Sequence, residues 1–315
     1  MSKIKFDKPG LIDNLVGVFS PEKKLKRLAA KHTMKALAGG GYTGASRTRK
    51  ALQGYNPGAS DANSDIVDDL ETLRARGRDL VRNNPLARSA ALIFKNSVVG
   101  TGLEVSPALP YKFLGMSLEE AQEWAERTKF LFNTWAENPN AIDFNRTSDF
   151  AQLQSLAVFN VFQSGDIFGL LPMEKREGQT IETRVRLIEA DYISNPNNQA
   201  NNGKIIEGVE VDSYGRPAAI HISKKHPRTK IRNAGANEWQ RVEILKNGRR
   251  NVIHLMDPDR VNQLRGVPWI SPVIEKLKQL DRYSDAELTA SVVSAMFTIF
   301  VKTPMPTESG LLNDM

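Results

Sequence analysis

The sequence contains no cysteine and only four histidines, and these absences exclude several kinds of chemistry. Disulfide bonds, thiolate metal ligands and cysteine nucleophiles are all ruled out. His32, His221, His226 and His254 include no pair spaced four apart on a predicted helix, the spacing that places two rings on one face to bind zinc. We therefore predict that the chain holds no metal and no cofactor.

Long apolar runs are also missing. No stretch approaches the ~18–20 apolar residues that a membrane-spanning helix needs. The longest run, residues 290–301, is interrupted by Ser291, Ser294 and Thr298. The N-terminus carries Lys3 and Lys5 but lacks the apolar core of a signal peptide. We expect no membrane association and synthesis in the cytoplasm.

The usual signatures of an enzyme are absent. Residues 39–44 read Gly-Gly-Gly-Tyr-Thr-Gly, but no Gly-Lys-Ser/Thr follows and no strand precedes, as a phosphate-binding loop requires. No Gly-x-Ser-x-Gly elbow occurs. Asp257 and Asp259, close to His254, could supply metal ligands, but a strand end followed by an Asp-Pro turn is the plainer explanation. We predict that the protein is not an enzyme.

Positive charge is concentrated at the N-terminus. The net charge is +7, yet the first 50 residues hold twelve Lys/Arg against three Asp/Glu, so the remaining chain is slightly acidic. Residues 1–64 are predicted to form a basic, partly mobile arm whose helix, residues 23–38, carries Lys23, Lys24, Lys26, Arg27, Lys31 and Lys35. Such an arm favours contact with nucleic acid or an acidic partner, and a solvated leader is the alternative.

The pattern of the remaining chain predicts an α+β fold, with N-terminal helices, a central mainly antiparallel β-rich region and one long C-terminal helix. Predicted helices cover residues 65–82, 86–99, 118–135 and 150–162, and a short strand covers 103–107. Residues 180–255 are β-rich, and residues 205–211 are predicted to form one of the strands. Ser271 and Pro272 are predicted to cap and start the long helix, which runs to about residue 300.

Eight short motifs, in order, carry a resemblance to a known family. The first is Arg-x-Arg-Gly-Arg-Asp-Leu at residues 74–80, which continues through Asn83-Asn84-Pro85 to Gly100-Thr-Gly102. The others are Asp-Phe-x-x-Leu-Gln-x-Leu-Ala (149–157), Ser-Gly-Asp (164–166), Leu-Ile-Glu-x-Asp (187–191), Gly-Val-Glu-x-Asp-x-x-Gly-Arg-Pro (208–217), Ile-His-Leu (253–255), Arg-Gly-Val-Pro (265–268) and Tyr-x-Asp-Ala-Glu-Leu (283–288). Together they resemble the lambda-type phage portal proteins.

The resemblance implies a portal wing plus the first stem helix, in a subunit of a ring of twelve copies. Such a ring encloses double-stranded DNA at one capsid vertex of the virion, after assembly in the host cytoplasm, and serves DNA packaging and ejection. Implied partners are the terminase large subunit and the major capsid, scaffold and head–tail connector proteins. Members of the family run well beyond 315 residues, so an N-terminal fragment without the clip and crown is expected. The predicted divisions are the arm (1–64), a wing-like domain (65–268), the stem-like helix (269–303) and a truncated tail (304–315).

Helix position and the resemblance together supply candidate site residues. The DNA-channel-facing candidates are Lys276, Lys278 and Arg282. In the second half of the long helix, apolar residues cover much of the circumference. A helix with one side facing solvent does not need so many apolar residues, so this pattern predicts a subunit interface. The interface candidates on this helix are Leu288, Val292, Val293, Met296 and Phe297. Trp124 and Trp135, on the predicted helix 118–135, are further interface candidates because tryptophan is enriched at interfaces.

Alternatives remain open at this point. The long helix could be buried within its own domain, and the two tryptophans could belong to the fold core. A DNA-processing enzyme or nuclease subunit acting through Asp257 or Asp259 is the second functional hypothesis, and a scaffold-like peripheral capsid protein is the third.

Overall fold

The computed structural model describes residues 20–37, 42–46, 49–227 and 238–297. Contacts divide the chain into two units, residues 1–59 and 60–315. In the first unit, helix α1 (Pro21–Leu37) is followed by two single 3₁₀ turns, Thr43–Ala45 and Lys50–Leu52. The predicted basic helix is therefore present.

The second unit contains the other described helices. They are α2 (Val67–Asn83), α3 (Pro85–Val98), α4 (Tyr111–Leu114), α5 (Leu118–Ala136), α6 (Pro139–Ile142), α7 (Phe150–Ser164) and α8 (Ile274–Met296). Two of them begin at reciprocal capping boxes, Ser117 with Glu120 for α5 and Asp149 with Gln152 for α7. In each box a side chain satisfies a backbone N–H group that the first turn leaves without a partner.

The described strands form three antiparallel sheets. They are β1 (Asp166–Leu170), β2 (Arg186–Glu189), β3 (Ile205–Ile206), β4 (Val209–Val211), β5 (Pro217–Ser223), β6 (Trp239–Glu243), β7 (Leu245–Lys246), β8 (Arg249–Arg250) and β9 (Val252–Met256). The sheet orders are β2-β1-β9, β3-β4-β5-β6 and β7-β8. The predicted α+β class, with helices first and a long helix last, is confirmed.

Two apolar clusters hold this unit together. The larger one joins the three-stranded sheet to the four-stranded sheet, and its members include Phe168, Ile188, Val209, Ile220, Ile222, Val252 and Leu264. The second joins helices α2 and α3 through Leu80, Val81, Ala87 and Ala91, together with Ile270. Each fully buried side chain of Val, Leu, Ile or Phe contributes about 1.5–3 kcal/mol relative to an exposed one.

Three local predictions were wrong. Residues 103–107 form no strand. Residues 205–211 form two strands, because Glu207 and Gly208 both have positive φ, 47° and 78°, and reverse the chain in a tight turn. Ser271 does not cap α8, because residues Ser271–Val273 form a 3₁₀ turn and the N-cap position falls on Val273 without a side-chain bond.

Candidate functional site

A buried group of charged side chains lies where the end of α7 meets β1. Asp166 is fully buried at the start of β1. Its carboxylate accepts hydrogen bonds from Arg265 Nε at 2.7 Å, from Arg74 Nη2 at 3.0 Å and from the backbone N–H of Gly266 at 3.1 Å. His254 Nε2 lies 3.2 Å from the same carboxylate. We refer to Arg74, Arg78, Asp166, Asp191, His254 and Arg265 as the Asp166 cluster.

Opposite charges decide the ionisation of the Asp166 cluster. Burial alone would raise the pKa of Asp166, but the positive charges of Arg265 and Arg74 hold that pKa far below its ordinary value. Burial and the neighbouring charge of Arg265 lower the pKa of Arg74 to about 10, so Arg74 stays protonated at neutral pH. Asp166 and Arg74 are therefore both charged inside the protein.

Asp191 is the second carboxylate of the Asp166 cluster. It pairs with Arg78, lies 3.8 Å from Arg74 Nη1 and 3.4 Å from His226 Nε2. Burial would raise the pKa of Asp191, and the hydrogen bond and charge of Arg78 lower it below its ordinary value. Helix α2 is thus joined through two arginines to β1 and to the turn after β2.

Arg265 connects this cluster to the backbone. Its Nη1 donates to the carbonyl oxygens of Ile193 at 3.1 Å and Glu207 at 2.5 Å, and its Nη2 donates to Ala190 O at 2.8 Å. Because the N–H groups of a buried guanidinium need hydrogen-bond acceptors, these bonds fix the position of the Arg265 side chain.

Two glycines allow this close approach. A Cβ atom on Gly266 would lie 2.1 Å from Gly165 O, and one on Gly165 would lie 2.3 Å from Gly266 O. Both obstacles are backbone atoms, so neither can move aside like a flexible side chain. The Ser-Gly-Asp and Arg-Gly-Val-Pro motifs therefore meet face to face, and their glycines are required by the contact.

The Asp166 cluster explains what several motifs do. Residues from the motifs at 74–80, 164–166, 187–191, 253–255 and 265–268 all take part in it. Its three arginines and two carboxylates pair with one another in the protein interior, and these ion pairs hold the motifs together. Sequence reasoning missed this grouping; the available signal was an ionisable residue in each of the five motifs.

Helix α8 is packed along its first half only. Ile274 and Leu277 are partly buried against the α2–α3 cluster, and Asp281 is partly buried beside Asn84. Every residue from 282 to 297 is exposed. The exposed fractions of the predicted interface residues are 66% for Leu288, 59% for Val292, 45% for Val293, 77% for Met296 and 76% for Phe297. Within the described chain nothing covers this apolar surface, and its role as an interface stays a prediction.

The three cations predicted to face the channel do not share one face of α8. Lys278 and Arg282, four residues apart, line a cleft of about 600 Å³ between α2 and α8 together with Arg76. Lys276 does not line that cleft, and its Nζ lies 3.5 Å from Gln279 Oε1. Arg76, Lys278 and Arg282 therefore share one cleft that Lys276 does not line, and whether any of these cations faces a DNA channel stays a prediction. The cleft also contains acidic Asp79 and Glu275.

Trp124 and Trp135 have different surroundings on α5. Trp135 is partly buried, packs against Phe132 and Phe150 at ring-centroid distances of 5.6 and 6.4 Å, and donates Nε1–H to Thr183 O at 3.0 Å. Trp124 is 43% exposed. Trp135 thus contributes to the fold of its own chain, whereas Trp124 is the more exposed of the two, and a role for either in a subunit interface stays a prediction.

The basic arm residues lie on α1. Lys23, Lys26, Arg27 and Lys31 are exposed and Lys24 is partly buried, while the side chain of Lys35 lies outside the described residues. Lys26 Nζ pairs with Glu22 at 2.9 Å within the helix. Whether the arm contacts nucleic acid stays a prediction.

Possible metal and membrane sites can be assessed for the described part of the chain. There, no group of three or more His, Asp, Glu or Cys side chains is placed to hold a metal ion. Asp257 and Asp259 are exposed, and the backbone N–H of Asp259 donates to Gln263 Oε1 at 3.0 Å. No helix in the described ranges combines the length and apolar character needed to cross a membrane.

Comparison with known families decides the assignment. The family model described as "Phage portal protein, lambda family" matches residues 48–313 of this sequence. The chain belongs to the lambda family of phage portal proteins. The match includes the Asp166 cluster and α8, so the motifs that meet in the core and the partly exposed long helix fall within one portal-family region.

Individual portal proteins show the same relationship. Portal protein B of Escherichia phage lambda is 24% identical over 263 residues, which cover 82% of this chain and 48% of that protein. The portal protein of Escherichia phage N15 is 25% identical over 276 residues, covering 87% and 50%. A probable portal protein of Halomonas phage phiHAP-1 is 25% identical over 247 residues, covering 77% and 45%. The chain spans about half the length of these curated relatives.

Proposed function

We propose that this chain is part of a phage portal subunit that assembles with identical copies into a ring around double-stranded DNA. The observation that carries the proposal is the portal-family match across residues 48–313, which includes the uncovered apolar half of α8. In this proposal the ring has twelve copies and sits at one capsid vertex of the virion, after assembly in the host cytoplasm.

The exposed half of α8 supports assembly on energetic grounds. Leu288, Val292, Val293, Met296 and Phe297 are each at least 45% exposed. Each Å² of apolar surface removed from water contributes roughly 25 cal/mol, so a neighbour that covers these side chains is favoured. In a ring of identical copies, each subunit covers the exposed helix of the next through the same contact, and the ring closes when the rotation between neighbours divides a full turn.

The distribution of charge is compatible with DNA that must slide. Each Lys or Arg that neutralises a phosphate adds salt-dependent affinity, with a slope of ~0.9 per phosphate, and tight binding would hinder movement. Outside the basic arm the chain is slightly acidic. Arg76, Lys278 and Arg282 form the local group of cations that we propose for transient phosphate contacts, and the acids in the same cleft limit its net charge.

The proposed role is structural and not enzymatic. The terminase large subunit, the major capsid and scaffold proteins and the head–tail connector are its proposed partners. A nuclease subunit acting through Asp257 or Asp259 is less well supported, since these exposed acids belong to no metal-binding group among the described residues. Metal-dependent DNA cleavage that is lost in Asp257→Asn or Asp259→Asn would favour the nuclease.

The test of the proposal is the mass of the assembly formed by purified protein. Light scattering after size-exclusion chromatography should show a closed oligomer for the unaltered chain. The double variant Val293→Asp with Phe297→Asp should shift the protein toward monomer, because two charges would have to be buried in the interface.

A matched control keeps the interpretation specific. Tyr214 and Val261 are also exposed apolar residues, at 82% and 87%, and neither lies on α8. Tyr214→Asp with Val261→Asp should leave the assembly intact. Normal assembly by the α8 double variant would overturn the proposed interface.

A further inference from the structure

Helix α8 is attached to its unit along one short stripe. Ile274, Leu277 and Asp281 are its partly buried residues in the described chain, and spacings of three and four place them on one helix face. The sixteen residues from 282 to 297 are exposed. At 1.5 Å per residue, the helical part of this segment, residues 282–296, is about 22 Å long.

The last point of attachment is a hydrogen bond to a buried asparagine. Asn84 lies between α2 and α3 and is 2% exposed. Its Oδ1 accepts a hydrogen bond from the backbone N–H of Ala87 at 2.8 Å and so caps α3. Its Nδ2 donates to Asp281 Oδ1 at 2.6 Å. One side chain thus joins the α2–α3 turn to α8.

We propose that Asn84 is a positioning residue, and that its bond to Asp281 fixes the direction in which α8 leaves the α2–α3 pair. The contacts of Ile274 and Leu277 are apolar and therefore not directional. The Asn84–Asp281 bond is directional and lies farthest along the helix. If the angle changed by about 10°, the far end of α8 would move by about 4 Å.

This direction matters for assembly if the proposed ring is correct, and to that extent the inference rests on the proposed function. In a closed ring every copy must present its α8 at the same angle, because the contact repeats by symmetry. A hydrogen bond that sets the angle before assembly lowers the cost of ordering the helix at the interface.

Asparagine at position 84 has the two groups that are needed to cap α3 and to bind α8 at the same time. It offers an oxygen to the N–H of Ala87 and an N–H to the carboxylate of Asp281. An aspartate there would keep the cap on α3 but would place a second carboxylate against Asp281. Exchanging the two residues, as Asn84→Asp with Asp281→Asn, restores one donor and one acceptor across the same contact.

The test measures the direction of α8 within one chain. Because the sequence has no cysteine, Ser89→Cys on α3 and Ser294→Cys on α8 introduce two spin-label sites at exposed positions. Double electron–electron resonance then gives the distance between them. Labelled protein is diluted with unlabelled protein, so that distances between different copies do not contribute.

The expected result is a narrow distance distribution in the unaltered background. Asn84→Asp should broaden it or shift its mean by several ångström, and the exchange with Asp281→Asn should restore it. Asp281→Ala, which leaves the α3 cap untouched, should disturb the distance in the same way if Asn84→Asp fails to fold. Asp285→Ala, one turn farther along α8, serves as the matched control and should change nothing.

Two results would overturn the inference. One is an unchanged distance distribution in Asp281→Ala. The other is a disturbed distribution in the exchange variant, Asn84→Asp with Asp281→Asn, when the thermal unfolding of that variant is normal. Both results concern distances inside single chains. They are therefore independent of whether rings form, which the mass measurement decides separately.

Discussion

Replacing Asp166 with asparagine removes the negative charge at the centre of the Asp166 cluster and leaves the shape of the side chain almost unchanged. Arg265 and Arg74 would then remain buried, at 1% and 4% exposure, without the carboxylate that accepts their hydrogen bonds. Removing one partner of a buried ion pair costs about 3–5 kcal/mol, because a charge is left uncompensated. We expect Asp166→Asn to lower the stability of the second unit by that amount.

The assay is thermal unfolding followed by circular dichroism. For a unit of roughly 250 residues, each kcal/mol changes the midpoint by about 2–4 °C, so the expected decrease in Tm is about 6–20 °C. Asp212→Asn is the control, because Asp212 pairs with the largely exposed Arg216 at 2.8 Å and an exposed pair contributes at most about 1 kcal/mol. A Tm decrease in Asp166→Asn no larger than in Asp212→Asn would refute the reasoning.

Three other outcomes are expected from the pKa shifts, the glycine contact and the charge of the N-terminal residues. Folding lowers the pKa values of Asp166 and Asp191, so the unfolded chain binds more protons in acid than the folded chain does. The free energy of unfolding, measured with urea, should therefore fall as the pH drops below about 4, and this fall should be smaller in Asp166→Asn. Gly266→Ala places a Cβ 2.1 Å from Gly165 O and should reduce the yield of soluble protein far more than alanine at exposed Gly203, which has open space. Deleting residues 1–50 should flatten the salt dependence of non-specific DNA binding in a filter-binding titration, whereas an unchanged slope would place the DNA contacts elsewhere.

Local features of the fold were predictable because they depend on neighbouring residues. The α5 and α7 starts follow from Ser117 with Glu120 and from Asp149 with Gln152, pairs three residues apart that cap their own helices. The same kind of reasoning failed at Ser271, where Ser-Pro is an ordinary start signal but the chain forms a 3₁₀ turn first.

The Asp166 cluster could not be predicted, because its bonds join distant parts of the chain. Arg74 and Arg265 lie 92 and 99 residues from Asp166 in sequence. No spacing rule connects such positions, and each motif alone resembles part of an ordinary helix, strand or turn. The apolar pattern of α8 did predict a surplus of apolar surface. Which half of the helix packs on its own unit depends on tertiary contacts of Ile274 and Leu277.

The central claim, that this portal-family chain assembles into a ring, is tested most directly by electron microscopy of the purified protein. The account predicts closed rings of uniform subunit number, with a central opening wide enough for duplex DNA. Particles that are monomers, or open filaments without a central opening, would contradict it.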